Sequence, residues 1–403
     1  MQTNRIVSRL LEGCVPFTHA ARWRALCDIC EAAVCGNGLS LSRLACGTAR
    51  AIALRHRIKC VDRLLGNRIL HRERQVVYQA LAHRWLSDLP QLLIVVDWSS
   101  LSADMQWHWL RASVVVDGRS LTLYEEVHPR RQLGNRGVHR RFLDRLSLML
   151  PATAQAPIIM TDAGLRTTCF HLVAYHHWYW IGRIRNREFV RHEESDWFPA
   201  KRLYSQARTE PQDLGAYQSA RSNPIAARLV LVAQLRQGRK CCYRSGKERR
   251  DSQRKKIAAC QREPWLLSCS PGLAHLGAHA IVNLYAQRMR IEQQFRDTKS
   301  CALGLGLRQA RSSGVARLQM LLLIAHVATL AKRLIGEAAR ACNLQLQLMS
   351  TNRRDRPEIS VMTLASRVIA HPTLLRMIGN AWRSVDRLRQ QVRNAIDLAA
   401  QPS

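Results

Sequence analysis

Two short apolar runs in this chain each end in a carboxylate, and they constrain its fold more than any other feature. Leu92-Leu-Ile-Val-Val-Asp97 and Pro157-Ile-Ile-Met-Thr-Asp162 have the length and unbroken apolarity of strands buried on both faces. Such strands need covering layers above and below, which points to a mixed α/β architecture. Trp107 to Val116 and Ser120 to Val127 read as two further strands, and Asp117-Gly118 between them is a strong hairpin signal. Arg140 to Leu150 reads as a helix with an apolar face, and Ala163-Gly164 turns into another helix. Tyr179 to Arg185 looks like one more strand, and Trp265-Leu-Leu-Ser-Cys269 resumes the strand pattern.

The flanks are helical and basic. Arg22 to Cys35 reads as an amphipathic helix, Gly36-Asn-Gly38 as a turn, and Leu39 to Ala45 as a second helix with Ser40 as a candidate cap. A third helix, Arg57 to Leu65, ends at Gly66-Asn67. Two short helices around a turn resemble a helix-turn-helix only weakly. Arg55, Arg57, Lys59, Arg63, Arg68, Arg72 and Arg74 make this block a candidate phosphate-binding surface. Residues 1–90 are therefore expected to form a DNA-binding helical region, 91–185 the first part of a core, and 186–262 a mostly β insertion. Residues 263–335 complete the core, and 336–403 form a helical C-terminal region suited to protein or DNA contacts. The Arg-, Lys- and Ser-rich stretch from Arg236 to Lys256 is either a loop or a nucleic-acid contact.

A net charge of +33, from 62 Lys and Arg against 29 Asp and Glu, calls for a polyanionic partner, with nucleic acid the leading candidate. The thirteen cysteines form no regular framework. Cys27 and Cys30 have the spacing of half a zinc site, but a second pair is missing, so the thiols read as reduced core residues of a cytoplasmic protein. The most apolar segment, Met320 to Ala331, looks too short for a membrane span and reads as a core helix, so no membrane partner is expected.

The chemistry centres on Tyr285-Ala-Gln-Arg288-Met-Arg-Ile-Glu292-Gln-Gln-Phe-Arg-Asp-Thr-Lys299. On one continuous helix, Tyr285, Arg288, Glu292 and Lys299 fall within about 80° of arc. A carboxylate, a guanidinium, an ammonium and a phenol on one stripe suit a metal ion and phosphates. Taken alone, Arg288 and Glu292 are an ordinary i,i+4 ion pair, and either aspartate is an ordinary turn or cap residue. Three acids placed in this way are harder to dismiss together.

The order of elements resembles the ribonuclease-H-like arrangement, a mixed sheet flanked by helices. That fold would set Asp97 and Asp162 side by side with Glu292 facing them. Three such carboxylates repel unless cations lie between them, and hard oxygen ligands suit two Mg²⁺ ions, with Mn²⁺ able to substitute.

The chain is similar to the DDE transposases of bacterial insertion sequences, in the branch marked by Tyr-x2-Arg-x3-Glu-x6-Lys. Tyr285, Arg288, Glu292 and Lys299 fit that spacing without a gap. Asp62 to Asn67, Val96 to Ser99, Leu110 to Val115, Gly118 to Glu125, Asp162-Ala-Gly and Glu263-Pro-Trp265 also look like this family. The resemblance implies a nucleoid-associated bacterial enzyme that binds the inverted terminal repeats of its element and self-associates in a synapse. It would nick one strand, form and hydrolyse a hairpin, and join the ends to target DNA. Asp97, Asp162 and Glu292 would hold two Mg²⁺, and Tyr285, Arg288 and Lys299 would bind phosphates. Trp265 matches the family position that stacks a flipped base, although a core aromatic is the simpler alternative. Met289 is either an apolar wedge or a core residue. A nuclease of the same fold and a domesticated DNA-binding repressor are the competing functions.

Overall fold

The structure, a computed structural model, describes residues 2–14, 19–36, 38–86, 89–102, 104–151, 155–185, 188–234, 263–301, 304–350 and 359–400. It is a mixed α/β protein that divides into two compact units. One comprises Met1–Gln155 and Met289–Asn394, the other Ala156–Arg288 and Ala395–Ser403.

The first unit begins with helices Gln2–Leu11, Ala20–Gly36, Leu41–Gly47, Leu54–Leu65 and Arg68–Leu86. Ser40 starts the third by accepting from the Arg43 N–H at 3.3 Å, which satisfies one orphan donor of the helix end. Gly66 closes the fourth, its N–H bonded to the Asp62 and Leu64 carbonyls. Both ends lie where the sequence signals put them. The basic surface differs in two residues, of which Arg57 is half-buried and donates to the Thr48 carbonyl at 3.2 Å. Arg55, Lys59, Arg63, Arg68 and Arg72 are exposed, but Arg74 is buried and donates to the Glu125 carbonyl at 2.8 Å. The reason is packing: its helix rests on the third strand of the sheet, so a guanidinium on that face satisfies a strand carbonyl and cannot serve the solvent side.

That sheet is an antiparallel meander of β1 (Leu93–Ser100), β2 (Trp107–Val116) and β3 (Arg119–Pro129). Asp117 and Gly118 make the two-residue β2–β3 turn, with Gly118 at φ +65°, where a Cβ would be strained. β1 runs three residues past Asp97, because Ser99 and Ser100 continue the ladder opposite Trp109 and His108. Asp97 is therefore the fifth residue of the strand, and the expectation that it ends the strand is corrected. Register sets Asp97 opposite Arg111 and Arg111 opposite Glu125, so one row carries acid, base and acid.

Helix Val315–Ala341 is the core of this unit, packed against β3 and helices Ala20–Gly36 and Val361–Ala370. It extends well beyond the apolar segment read from the sequence. By length and composition it could cross a membrane, which corrects the expectation that it is too short, yet 89% of its most apolar window is buried within the fold. Each leucine it buries contributes roughly 1.5–3 kcal/mol. Cys27 and Cys30 are buried in helix Ala20–Gly36, and desolvation raises both thiols, Cys27 to about 12. That opposes the thiolate form a zinc ligand needs.

The second unit holds β4 (Ile158–Thr161) parallel to β5 (Tyr179–Ile184), joined through helix Arg166–Tyr175. Gly182 permits close approach there, since a Cβ would lie 2.4 Å from the Phe170 ring of that helix. Within 188–234 the chain forms β6 (Phe189–Arg191), β7 (Phe198–Pro199), β8 (Gln212–Ser219) and β9 (Ile225–Val232). β10 (Trp265–Cys269) pairs antiparallel with β5 on one side and β9 on the other, so the strands after β5 extend the same sheet. The Arg236 to Lys256 stretch lies outside the described residues.

Candidate active site

The candidate site in the first unit is built by β1 and helix Met289–Lys299. The helix lies on the face of the meander that carries Ser99, Trp109, Arg111 and Ser113. Gln294, buried, fixes it there: its carbonyl accepts from Ser120 at 2.8 Å and Ser113 at 3.3 Å, and its amide donates to Thr122 at 3.1 Å. Phe295 meets the Trp109 ring edge-on at 4.8 Å between centroids. Arg290 donates to the Val116 carbonyl, and Arg119 pairs with Asp297 at 2.6 Å. With this face committed to the sheet, Glu292 is exposed in the first helical turn, where the helix dipole favours a carboxylate.

Asp97 is buried, and its Oδ1 accepts from the Trp98 N–H at 2.7 Å. The Trp98 indole donates to His139 Nε2 at 2.9 Å, and burial pulls His139 down to about 4, so its ring is the neutral acceptor. Lys299 closes the helix, and its Nζ donates to Ser99 Oγ at 2.6 Å. Desolvation first, then Arg308 and Arg111, lower Lys299 to about 8, while Glu292 and Asp97 oppose that shift. Both acids therefore act on the same ammonium.

Behind them lies a cluster that the sequence reading did not single out. Glu125, fully buried, accepts from Tyr78 at 2.8 Å, from the Trp109 indole at 2.8 Å and from Arg111 Nε at 2.7 Å. Arg111 also lies over the Trp109 ring at 3.9 Å. The available signal was a charge of each sign inside otherwise apolar strands.

The second unit holds the remaining candidates. Asp162 directly follows β4, half-buried, and its Oδ1 accepts from the Ala163 N–H at 2.7 Å in the turn before helix Arg166–Tyr175. Trp265 opens β10, half-buried, with its ring edge-on to Tyr285 at 5.1 Å. Tyr285 is 2% exposed, and Arg288 lies 5.9 Å from its ring centre. The motif does not lie on one helix. Helix Ala278–Ala286 ends, Gln287 and Arg288 form a turn, and Met289 starts the next helix. The Gln287 and Arg288 N–H groups bond three residues back to Leu284 and Tyr285, while the Gln287 side chain donates to the Ala395 carbonyl at 2.7 Å. This tightened last turn breaks the 100° progression, so the single stripe expected of Tyr285, Arg288, Glu292 and Lys299 is corrected. Met289 is 43% exposed, which removes the core alternative for it.

Asp97, Glu292 and Lys299 thus share one unit, while Asp162, Trp265, Tyr285 and Arg288 belong to the other. Among the described residues no three His, Cys, Asp or Glu side chains form a ready metal cluster. The donor chemistry nonetheless fits a hard divalent ion, since all three acids offer oxygen alone.

The family model described as Transposase DDE domain matches residues 88–330, a stretch that contains Asp97, Asp162 and Glu292. A search of curated proteins returned no match. Among solved structures, a cryo-EM structure of a piggyBac transposase synaptic complex with hairpin DNA is similar over 100% of this chain and 82% of that one, at 10% identity and a TM-score of 0.40. That likeness is too distant to bear on the site. The family match spans more than half of the 403 residues, and the chain belongs to the Transposase DDE domain family.

Proposed function

We propose that this protein is a cut-and-paste DNA transposase with a ribonuclease-H-like core, of the branch marked by Tyr-x2-Arg-x3-Glu-x6-Lys. Within that branch its likeness is to the transposase of the insertion sequence flanking the tetracycline-resistance composite transposon. The observation that supports this most is that Lys299 Nζ, bonded to Ser99 Oγ at 2.6 Å, ties the helix that carries Glu292 to the strand that carries Asp97, inside a DDE-domain match. Asp162, at the end of β4, would supply the third carboxylate. These acids would hold two Mg²⁺ ions, or Mn²⁺ in their place. Such ions, when bound, activate an attacking oxygen and stabilise a leaving one.

The chain's other residues would handle the DNA. The exposed Arg55, Lys59, Arg63, Arg68 and Arg72 would bind terminal-repeat phosphates, with an affinity that falls steeply with salt. Lys299 would act as a point charge on a phosphate near the cut, and Arg288 as a fork. Tyr285, buried against Trp265, would act through that ring and its neighbours. Trp265 would stack a flipped base, and the exposed Met289 would wedge into the space the base leaves. The products would be a nicked end, a hairpin, its hydrolysed form, and an element joined by its 3′-OH ends to target DNA within a self-associated synapse.

The test is to incubate the purified chain with duplexes carrying the element's inverted repeats, a target plasmid and Mg²⁺. Nicked, hairpin and joined products support the proposal. Cutting without joining would favour a nuclease, and binding without cutting would favour a repressor.

A further inference from the structure

A groove of about 580 Å³ lies within the first unit, where its first helix meets its C-terminal helices. Arg5, Ile6 and Arg9 of helix Gln2–Leu11 wall one side, and Arg376, Ala381 and Trp382 wall the other. Arg5, Arg9 and Arg376 are exposed, so three guanidiniums stand at the rim. Arg5 and Arg9 are four residues apart on one helix face, a spacing at which like charges repel. The wall carries no carboxylate. Among the described residues neither Arg5 nor Arg376 has an ion pair or a side-chain hydrogen bond. Arg9 lies over the Trp382 ring at 4.6 Å, a contact that orients its fork without neutralising it.

This groove is separate from the surface of Arg63, Arg68 and Arg72. Arg84 marks its edge, lying 5.9 Å from the Trp382 ring centre and donating to the Arg9 and Glu12 carbonyls. Arg72 and Arg84 stand towards opposite ends of helix Arg68–Leu86, about 18 Å apart at about 1.5 Å per residue. The apolar part of the wall is Ile6, Ala381, the Trp382 ring and the arginine stems. Cations above an apolar floor match a sugar–phosphate backbone, whose phosphates are anionic and whose sugars present carbon. A small-molecule pocket would enclose most of its ligand, whereas these cations face outward. Asn380, the one amide on the wall, already accepts from the Trp382 N–H at 3.1 Å. The guanidiniums are left to meet phosphates, and such contacts carry no sequence information.

We propose that this groove is a second duplex-DNA contact, indifferent to sequence, which holds target or flanking DNA while the other basic surface holds the terminal repeat. The choice of DNA rests on the transposase reading.

The test saturates the full chain with a duplex trimmed to the terminal repeat, then titrates in a labelled duplex of unrelated sequence over a chloride series. The second duplex should bind. Arg5→Gln combined with Arg376→Gln should weaken it about tenfold or more, and should flatten the slope of log affinity against log salt by about 2, from two phosphate contacts at about 0.9 each. Repeat affinity and Tm should stay unchanged, since both residues are exposed and lack partners. Arg141→Gln, an exposed arginine outside the groove, should leave the second duplex bound as before. The proposal is overturned if no second duplex binds, if the double variant holds it as tightly as the unaltered chain, or if Arg141→Gln costs as much. Displacement of the second duplex by an equal charge of poly-glutamate, at equal affinity, would also overturn it in favour of an acidic protein partner. Failure of the repeat duplex to bind at all would count against the transposase reading instead, and the same variants would then be compared on the unrelated duplex alone.

Discussion

Lys299 Nζ donates to Ser99 Oγ at 2.6 Å, and this bond ties the end of the Glu292 helix to the strand two residues beyond Asp97. The ammonium feels both acids, so it is part of the same electrostatic site. Lys299→Met should therefore cut nicking by about 10²-fold, the scale of losing one preorganised donor. Terminal-repeat affinity, measured in a gel shift on the same preparation, should change far less. Equal loss of binding and nicking would assign Lys299 to DNA binding alone.

Gln294 is the buried bolt between that helix and the sheet. Gln294→Leu leaves Ser113, Ser120 and Thr122 without their amide partner. A cost of about 1–3 kcal/mol follows for stranded buried polar groups. Urea melts of both proteins check this, and a loss below about 0.5 kcal/mol would mean that water replaces the amide.

The Arg111–Glu125 pair is almost fully buried. Removing one partner, as in Glu125→Leu or Arg111→Met, should cost about 3–5 kcal/mol, because the other charge is stranded. The double variant should recover much of that loss. A double-mutant cycle by chemical denaturation measures the coupling, and additive losses would contradict the buried-pair account.

Burial lowers His139 to about 4 and His326 to about 3. Both folded values lie below the ordinary histidine value, so the unfolded chain takes up protons first as pH falls. Their stabilising contribution is complete above about pH 6.5 and declines as pH drops from there towards 3. Tm should fall across pH 6.5 to 5, a window above the ordinary carboxylate values. In His326→Gln that slope should be shallower, and a flat Tm in the unaltered chain over this window would contradict the shifts.

Trp265 is half-buried, with one edge on Tyr285. If it stacks a flipped base, Trp265→Ala should still nick but form hairpins slowly, at a cost of about 1–3 kcal/mol in that step. A purely structural Trp would cost roughly 3–5 kcal/mol of stability and lower both products together. Nick and hairpin yields measured beside a melting curve separate the two.

The strands and helix caps were legible because their signals are local. Unbroken apolar runs gave β1 and β4, Asp117-Gly118 gave the hairpin, and Ser40 gave a helix start. What was not legible depends on packing. Residues 285–299 contain neither Gly nor Pro, so periodicity ran straight through the break at Gln287 and Arg288. Arg74 looked like its exposed neighbours because charge says nothing of which helix face meets β3. Ser99 and Ser100 are polar and lie beyond the apolar run that ends at Asp97, yet they pair in the ladder beside Trp109 and His108. The Glu125 cluster joins β3 to Trp109 and Arg111 of β2 and to Tyr78 of helix Arg68–Leu86, and no spacing in the sequence records the meeting with that helix.

The central claim is that Asp97, Asp162 and Glu292 act as one metal-dependent centre. Its most direct test is nicking of a terminal-repeat duplex in Mg²⁺ by Asp97→Ala, Asp162→Ala and Glu292→Ala, each with its melting curve and gel shift. Each variant should fold, bind the repeat, and produce no nick. Near-normal nicking by any one folded variant would contradict the claim.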